Sequence, residues 1–135
     1  MFLQQDIKKF ELSQDSGTKL PAHIKMTKRI KLTDDQIYIA DSVVNIYLKE
    51  NHSKYAYARK ADNYYKYYRQ YVGYLSDETK NTVFVNAFYE KSEYMTDDFL
   101  RRDLVFVRGG GSSFFNIKVN LKERICYDLR VNAPK

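Results

Sequence analysis

LTDDQIYIADSVVNIYLKEN, residues 32–51, decides more of the fold than any other stretch of this chain. Thr33 followed by Gln36 has the spacing of a capping box, in which each side chain satisfies the other residue's backbone N–H. Leu32, just outside, can staple to Ile37 across the cap. Asp34 and Asp35 in the first turn suit the positive end of a helix dipole. Ile37, Ala40, Val44, Tyr47 and Leu48 then recur on one helical face, and Val43 widens the stripe. The pattern predicts one amphipathic helix from Asp34 to near Glu50, about four to five turns long.

Downstream of residue 51 the period changes from that of a helix to that of strands. The second half of KYAYARKADNYYKYYRQYVGYL (54–75) alternates, and tyrosine favours half-buried pleated surfaces. Residues 76–81 have turn composition and TVFVNAFY (82–89) resumes a strand, so 64–89 reads as a hairpin. An acidic loop with one helical turn capped by Thr96 is expected over 90–100, then a short apolar strand in DLVFV (103–107). Phe115, Ile117, Val119 and Leu121 line one face of the next run. After a turn at 122–124, Ile125, Tyr127, Leu129 and Val131 line one face of the last. Such alternation predicts one face on a core and one face wet. Upstream, residues 23–32 form either a short edge strand or an extended lead-in. Gly17 and Pro21 break the pattern of 1–22, which reads as a loosely structured N-terminal arm. The expected architecture is α+β: residues 23–135 as a single domain, with one main helix packed on a curled antiparallel four- to five-stranded meander.

At 135 residues, with 44% apolar and 30% charged side chains, the chain can bury a core unaided. No stretch approaches the about 18 consecutive apolar residues of a membrane-crossing helix. The opening MFLQQDIKKFELSQDSG shows no signal-peptide pattern. The one cysteine, Cys126, excludes an internal disulfide and a cysteine-rich metal site, and reads as a small strand residue. His23 and His52 lie on separate segments, and Asp34, Asp35 and Asp41 have no histidine at ligand spacing, so no metal is expected. The carboxylate pairs Asp34/Asp35, Asp77/Glu78 and Asp97/Asp98 sit at helix starts or in turns, where capping explains them. Neither a Ser-His-Asp order nor a nucleophile elbow occurs, so no enzymatic activity and no cofactor are expected. RGGGSSFFNIKVN (108–120) lacks the following helix that a phosphate loop needs. Its glycines read as a hairpin connection between two strands, the weaker alternative being an anion site of Arg108 with Ser112 and Ser113.

The net charge is +6, with the basic excess in 54–75 and 101–135 and an acidic excess between them. Eight of the 13 tyrosines fall between Tyr55 and Tyr74, interleaved with lysine and arginine. Two readings compete there. In one, alternate tyrosines pack under the helix while the others cover the outer face. In the other, Tyr67, Arg69 and Tyr71, with Lys66 and Arg108, form a candidate binding surface, since tyrosine and arginine are favoured interface anchors. Another protein is the expected partner. The alternative is nucleic acid stacked on a basic tyrosine-rich sheet face, although no RRM-type run is present.

RQYVGY (69–74), VFVNAF (83–88), GGGSSFFNIKVNL (109–121) and the closing VN (131–132) resemble an uncharacterised family of small Bacteroidetes exported or lipoprotein-type domains. The resemblance covers roughly the C-terminal half and implies an extracytoplasmic setting (periplasm or cell envelope) without an assigned activity. The order of one helix followed by a meander also resembles cystatin-like architecture. Of the inhibitory Gln-x-Val-x-Gly hairpin of that fold, Gln70-Tyr71-Val72-Gly73 is one residue short.

Overall fold

The structure is a computed structural model, and it describes residues 7–51, 64–76, 80–107, 109 and 113–132. It is an α+β fold with one main helix and a mostly antiparallel sheet. The elements run β1 (Lys9–Glu11), β2 (Met26–Ile30), α1 (Asp34–Asn51), β3 (Tyr68–Ser76), β4 (Asn81–Phe88), α2 (Asp97–Leu100), β5 (Phe114–Asn120) and β6 (Ile125–Val131). β3 to β6 follow one another antiparallel across the sheet. The free side of β3 is shared by two short strands. β1 pairs parallel with Arg69–Tyr71, and β2 pairs antiparallel with Gly73–Ser76.

Helix α1 begins as its sequence predicts. Thr33 N–H donates to Gln36 Oε1 at 2.9 Å, and Gln36 N–H donates to Thr33 Oγ1 at 3.1 Å. Ile37, Ala40, Val44 and Leu48 are buried, and Leu32 and Ile37 share one core. That core also takes Val83, Val85 and Ala87 from β4 and Phe115, Ile117 and Val119 from β5. The one-turn helix α2 is capped as expected, Phe99 N–H donating to Thr96 Oγ1 at 3.2 Å.

Five features depart from the pattern-based expectation. The segment read as a loose arm supplies β1, so the sheet has six strands and one parallel pairing. Phe10 and Leu12 are fully buried there. Residues 104–107 are extended but join no strand, because side chains claim their backbone. Val105 N–H donates to Gln70 Oε1 (2.9 Å) and Val105 C=O accepts from Asn86 Nδ2 (2.8 Å). The glycine stretch is therefore no hairpin connection between paired strands. Gly109 takes φ 75°, while 110–112 lie outside the described residues.

The outer side of the sheet, away from α1, is also not simply wet. Tyr68, Gln70, Val72 and Tyr74 of β3 face it, and the segments around Leu12, Ile24, Met95 and 100–105 fold over it in two further apolar clusters. Finally, β6 changes phase. Its register with β5 slips between Asn116 and Lys118, and Asp128 sits at φ 54°. That extra residue is a bulge. Cys126 therefore points to the core with Leu129 and Val131, while Ile125 and Tyr127 turn outward and are 51% and 40% exposed.

Candidate functional site

The tyrosine-basic cluster proves to be interior. Tyr67, Arg69 and Tyr71 are each 0% exposed, on the helix side of the sheet. As a binding surface they are corrected: α1 covers them, and packing takes the place of display. Lys66 stands exposed at the end of the short turn 64–66, and Arg108 lies outside the described residues. From the helix, Asp41 meets this cluster. It occupies the apolar stripe of α1, four residues after Ile37 and three before Val44. Tyr64 Oη donates to its Oδ1 at 2.5 Å, and Tyr71 Oη donates to Oδ1 and Oδ2 at 2.7 and 2.8 Å. Arg69 Nη1 lies 3.9 Å from Oδ2, and its guanidinium packs 5.3 Å from the Tyr64 ring centroid.

Burial raises the Asp41 carboxyl, with Arg69 and the two hydroxyls pulling it back down. The Tyr64 phenol is driven well above its ordinary value by burial and by Asp41. The network ties α1 to β3 across the core through one carboxylate. Burial likewise pushes the Cys126 thiol up to about 12, so it is no nucleophile at neutral pH.

Gln70 and Asn86 pair directly across β3 and β4 on the outer side. Gln70 Nε2 donates to Leu100 C=O and Asp103 C=O at 2.9 and 2.7 Å, and its Oε1 accepts from Asn86 as well as from Val105. Two amide side chains thus clamp the covering segment 100–105 to the sheet. Gly73 permits a second close approach. A Cβ there would sit 2.6 Å from Leu32 Cδ2 and 2.9 Å from Ile30 C=O.

Two concavities remain open on either side of the β5–β6 turn. On the outer side, a cleft of about 450 Å³ is lined by His23 and Lys25, the end of β3, Lys80 just ahead of β4, and β5–β6. Its floor holds Lys118, whose ammonium donates to Asp128 Oδ2 at 2.7 Å and to His23 C=O at 3.1 Å. Hydrogen bonding from Lys118 holds the Asp128 carboxyl below its ordinary value. His23 Nδ1 lies 3.4 Å from Asp128 Oδ2, too far for a good hydrogen bond, and is buried without a hydrogen-bond partner. Burial, with Arg130 and Lys118 nearby, lowers the His23 pKa despite that carboxylate.

A depressed histidine makes the unfolded chain the better proton binder, so its penalty on folding grows as pH falls below the unfolded value of about 6.5. Asp128 acts only lower, its contribution being lost as pH falls through its depressed value. His23→Gln is thus expected to flatten the loss of stability between pH 7 and pH 5 in urea titrations. An unchanged slope would contradict it.

On the helix side, an apolar groove of about 470 Å³ runs between α1 (Tyr38, Val43, Ile46) and the start of β6 (Ile125, Cys126). Among the described residues β6 ends the sheet, and no group of metal ligands forms. Among the described residues no helix is long and apolar enough to cross a membrane. Fold and site define an α+β domain built on a sheet covered on both sides, with grooves flanking one open edge. Comparison with known proteins finds no matching family model, curated protein or solved structure.

Proposed function

We propose that the chain is a non-enzymatic binding module, acting outside the cytoplasm, that takes an extended acidic segment of another protein along β6. The observation that carries this is the coincidence of a sheet-terminal strand with the apolar groove beside it. Tyr38, Ile46 and Ile125 are 71%, 56% and 51% exposed around that groove. Exposed apolar side chains gathered at one place mark interaction sites more often than scattered ones do. A strand added to β6 hydrogen-bonds to its free backbone and sends every second side chain to the helix side, where the groove lies. Lys122, Arg124 and Arg130 are exposed along the turn and β6, which favours acidic residues in the guest. The extracytoplasmic setting rests on the family resemblance. The nucleic-acid reading loses its support, because the rings it needed for stacking, Tyr67 and Tyr71, are buried.

Panning a displayed library of random peptides on the protein tests this reading. Enriched sequences are expected to alternate apolar residues and to carry acidic flanks. Their binding should fall about ten-fold or more in Ile46→Lys and Ile125→Lys, since a desolvated anchor is worth 2 kcal/mol or more. Sequences without alternation, or binding indifferent to both substitutions, would remove β6 as the site.

A further inference from the structure

The position of a guest on β6, which rests on the strand addition proposed above, follows from the ladder itself. Backbone groups along β5 turn alternately to its two neighbours. Tyr89 N–H donates to Ser113 C=O and Leu121 N–H to Asn81 C=O, so the odd-numbered residues of β5 serve β4. The even-numbered ones serve β6: Asn132 N–H donates to Phe114 C=O, and Asn116, Lys118 and Asn120 oppose Arg130, Tyr127 and Ile125. The residues of β6 out of step with these, Cys126 before the bulge and Val131 after it, therefore aim their N–H and C=O at the open edge.

A regular guest strand needs outward groups every second residue, about 7 Å apart. The bulge breaks that repeat between Cys126 and Val131. It is also pinned, because Asp128 Oδ2 accepts from Lys118 Nζ at 2.7 Å and Oδ1 from Arg130 Nε at 3.1 Å. On the other side, Arg124 ends the turn at φ 55°, matching the φ of 54° at Asp128. Two left-handed residues thus bracket a regular stretch of 125–127, in which Cys126 is the outward residue. The apolar groove agrees with that window. It touches β6 at Arg124, Ile125 and Cys126, and among the described residues none beyond Asp128 lines it.

We propose that the guest runs antiparallel to β6, pairs with it at Cys126 and not beyond the bulge, and seats one large apolar side chain in the groove from the residue opposite Cys126. In an antiparallel ladder one guest residue exchanges both backbone hydrogen bonds with Cys126, whereas a parallel guest spreads them over two. Residues paired in this way carry their side chains on the same face. For Cys126 that face is the helix side, where it packs in the core with α1 and where the groove opens against Val43 and Ile46. The bulge thereby turns a seven-residue strand into a short seat with a single anchor.

The test is amide hydrogen exchange on the ¹⁵N-labelled protein with the synthetic peptide acetyl-EVTFTVE-amide, whose valines and phenylalanine share one face. Exchange at Cys126 N–H should slow roughly ten-fold at about nine-tenths saturation, by mass action, while Val131 N–H keeps its rate. Replacing the peptide's phenylalanine by alanine should weaken binding about ten-fold or more, as for a desolvated anchor. Replacing either valine should cost less than about three-fold, and methylating the phenylalanine nitrogen several-fold, since Cys126 C=O then loses its donor. Slowed exchange at Val131, or equal losses from phenylalanine and valine, would overturn the single seat while leaving strand addition to β6 standing. Binding without slowed exchange at either position, or no binding at all, would remove the seat and strand addition together.

Discussion

Asp41→Ala is expected to destabilise the protein by about 3–5 kcal/mol, the cost of removing one partner from a buried ion pair. Two tyrosine hydroxyls lose their acceptor, and Arg69 keeps its charge where no water reaches it. Urea unfolding of the variant measures the loss directly. Asp41→Asn should fall between wild type and alanine, because an amide oxygen still accepts from Tyr64 and Tyr71 while the carboxylate charge facing Arg69 is lost. The informative variant is the double replacement Asp41→Leu with Arg69→Met. Removing both charges at once should recover most of the loss, since an apolar pair avoids desolvation altogether. Additive losses in the double variant, or an alanine cost below about 1 kcal/mol, would mean that the network is not the link between helix and sheet. The pH sign is opposite to that of an ordinary surface carboxylate. Burial raises the Asp41 carboxyl, so the favourable contribution linked to its proton is present at low pH and fades as pH rises through the raised value.

Gln70→Leu should cost about 2–4 kcal/mol for a different reason, the stranding of buried backbone groups. Val105 N–H loses its acceptor, while Leu100 C=O and Asp103 C=O lose their donor. Asn86 loses a partner in the same step. The damage is directional: amide exchange should quicken over 100–105 and on Leu104 and Val105, while the β4–β5 ladder keeps its protection. A variant in which Val105 stays protected would show that apolar contacts alone hold the cover down.

These two residues mark where sequence reading succeeded and where it stopped. The helix, its cap, the β3–β4 and β5–β6 hairpins and the Thr96 turn were legible because each rests on local chemistry at fixed spacing. The location of the tyrosine-basic residues was not, because alternation assigns residues to two faces without saying which faces are covered. In β3 both are, by α1 on one side and by the segments around Leu12 and 100–105 on the other. A clue was present: Asp41 interrupts the apolar stripe of α1, and a carboxylate on a buried stripe implies a cation and donors opposite it. Gln70 and Asn86, polar at paired positions amid apolar strands, carried the same kind of clue for 104–107. The outer cleft and the groove had no linear signature, since their walls come from segments spread over most of the chain. The phase change in β6 escaped for a simpler reason. A single extra residue at Asp128 puts Ile125 and Tyr127 on the face opposite Leu129 and Val131, and nothing in ICYDLRV announces it.

The parallel pairing of β1 with β3 has a consequence for biosynthesis. Lys9 must wait for Arg69, sixty residues later, before it can hydrogen-bond. At the usual pace of translation that delay is ~3–12 s. Through that interval the nascent chain carries Phe10 and Leu12 without the surface that will hide them, whereas β3, β4, β5 and β6 each meet a neighbour soon after they are made. The seam closes only once β3 has been made, long after its first thread is laid down. Chaperones that shield short apolar stretches on ribosome-bound chains would have their clearest target here.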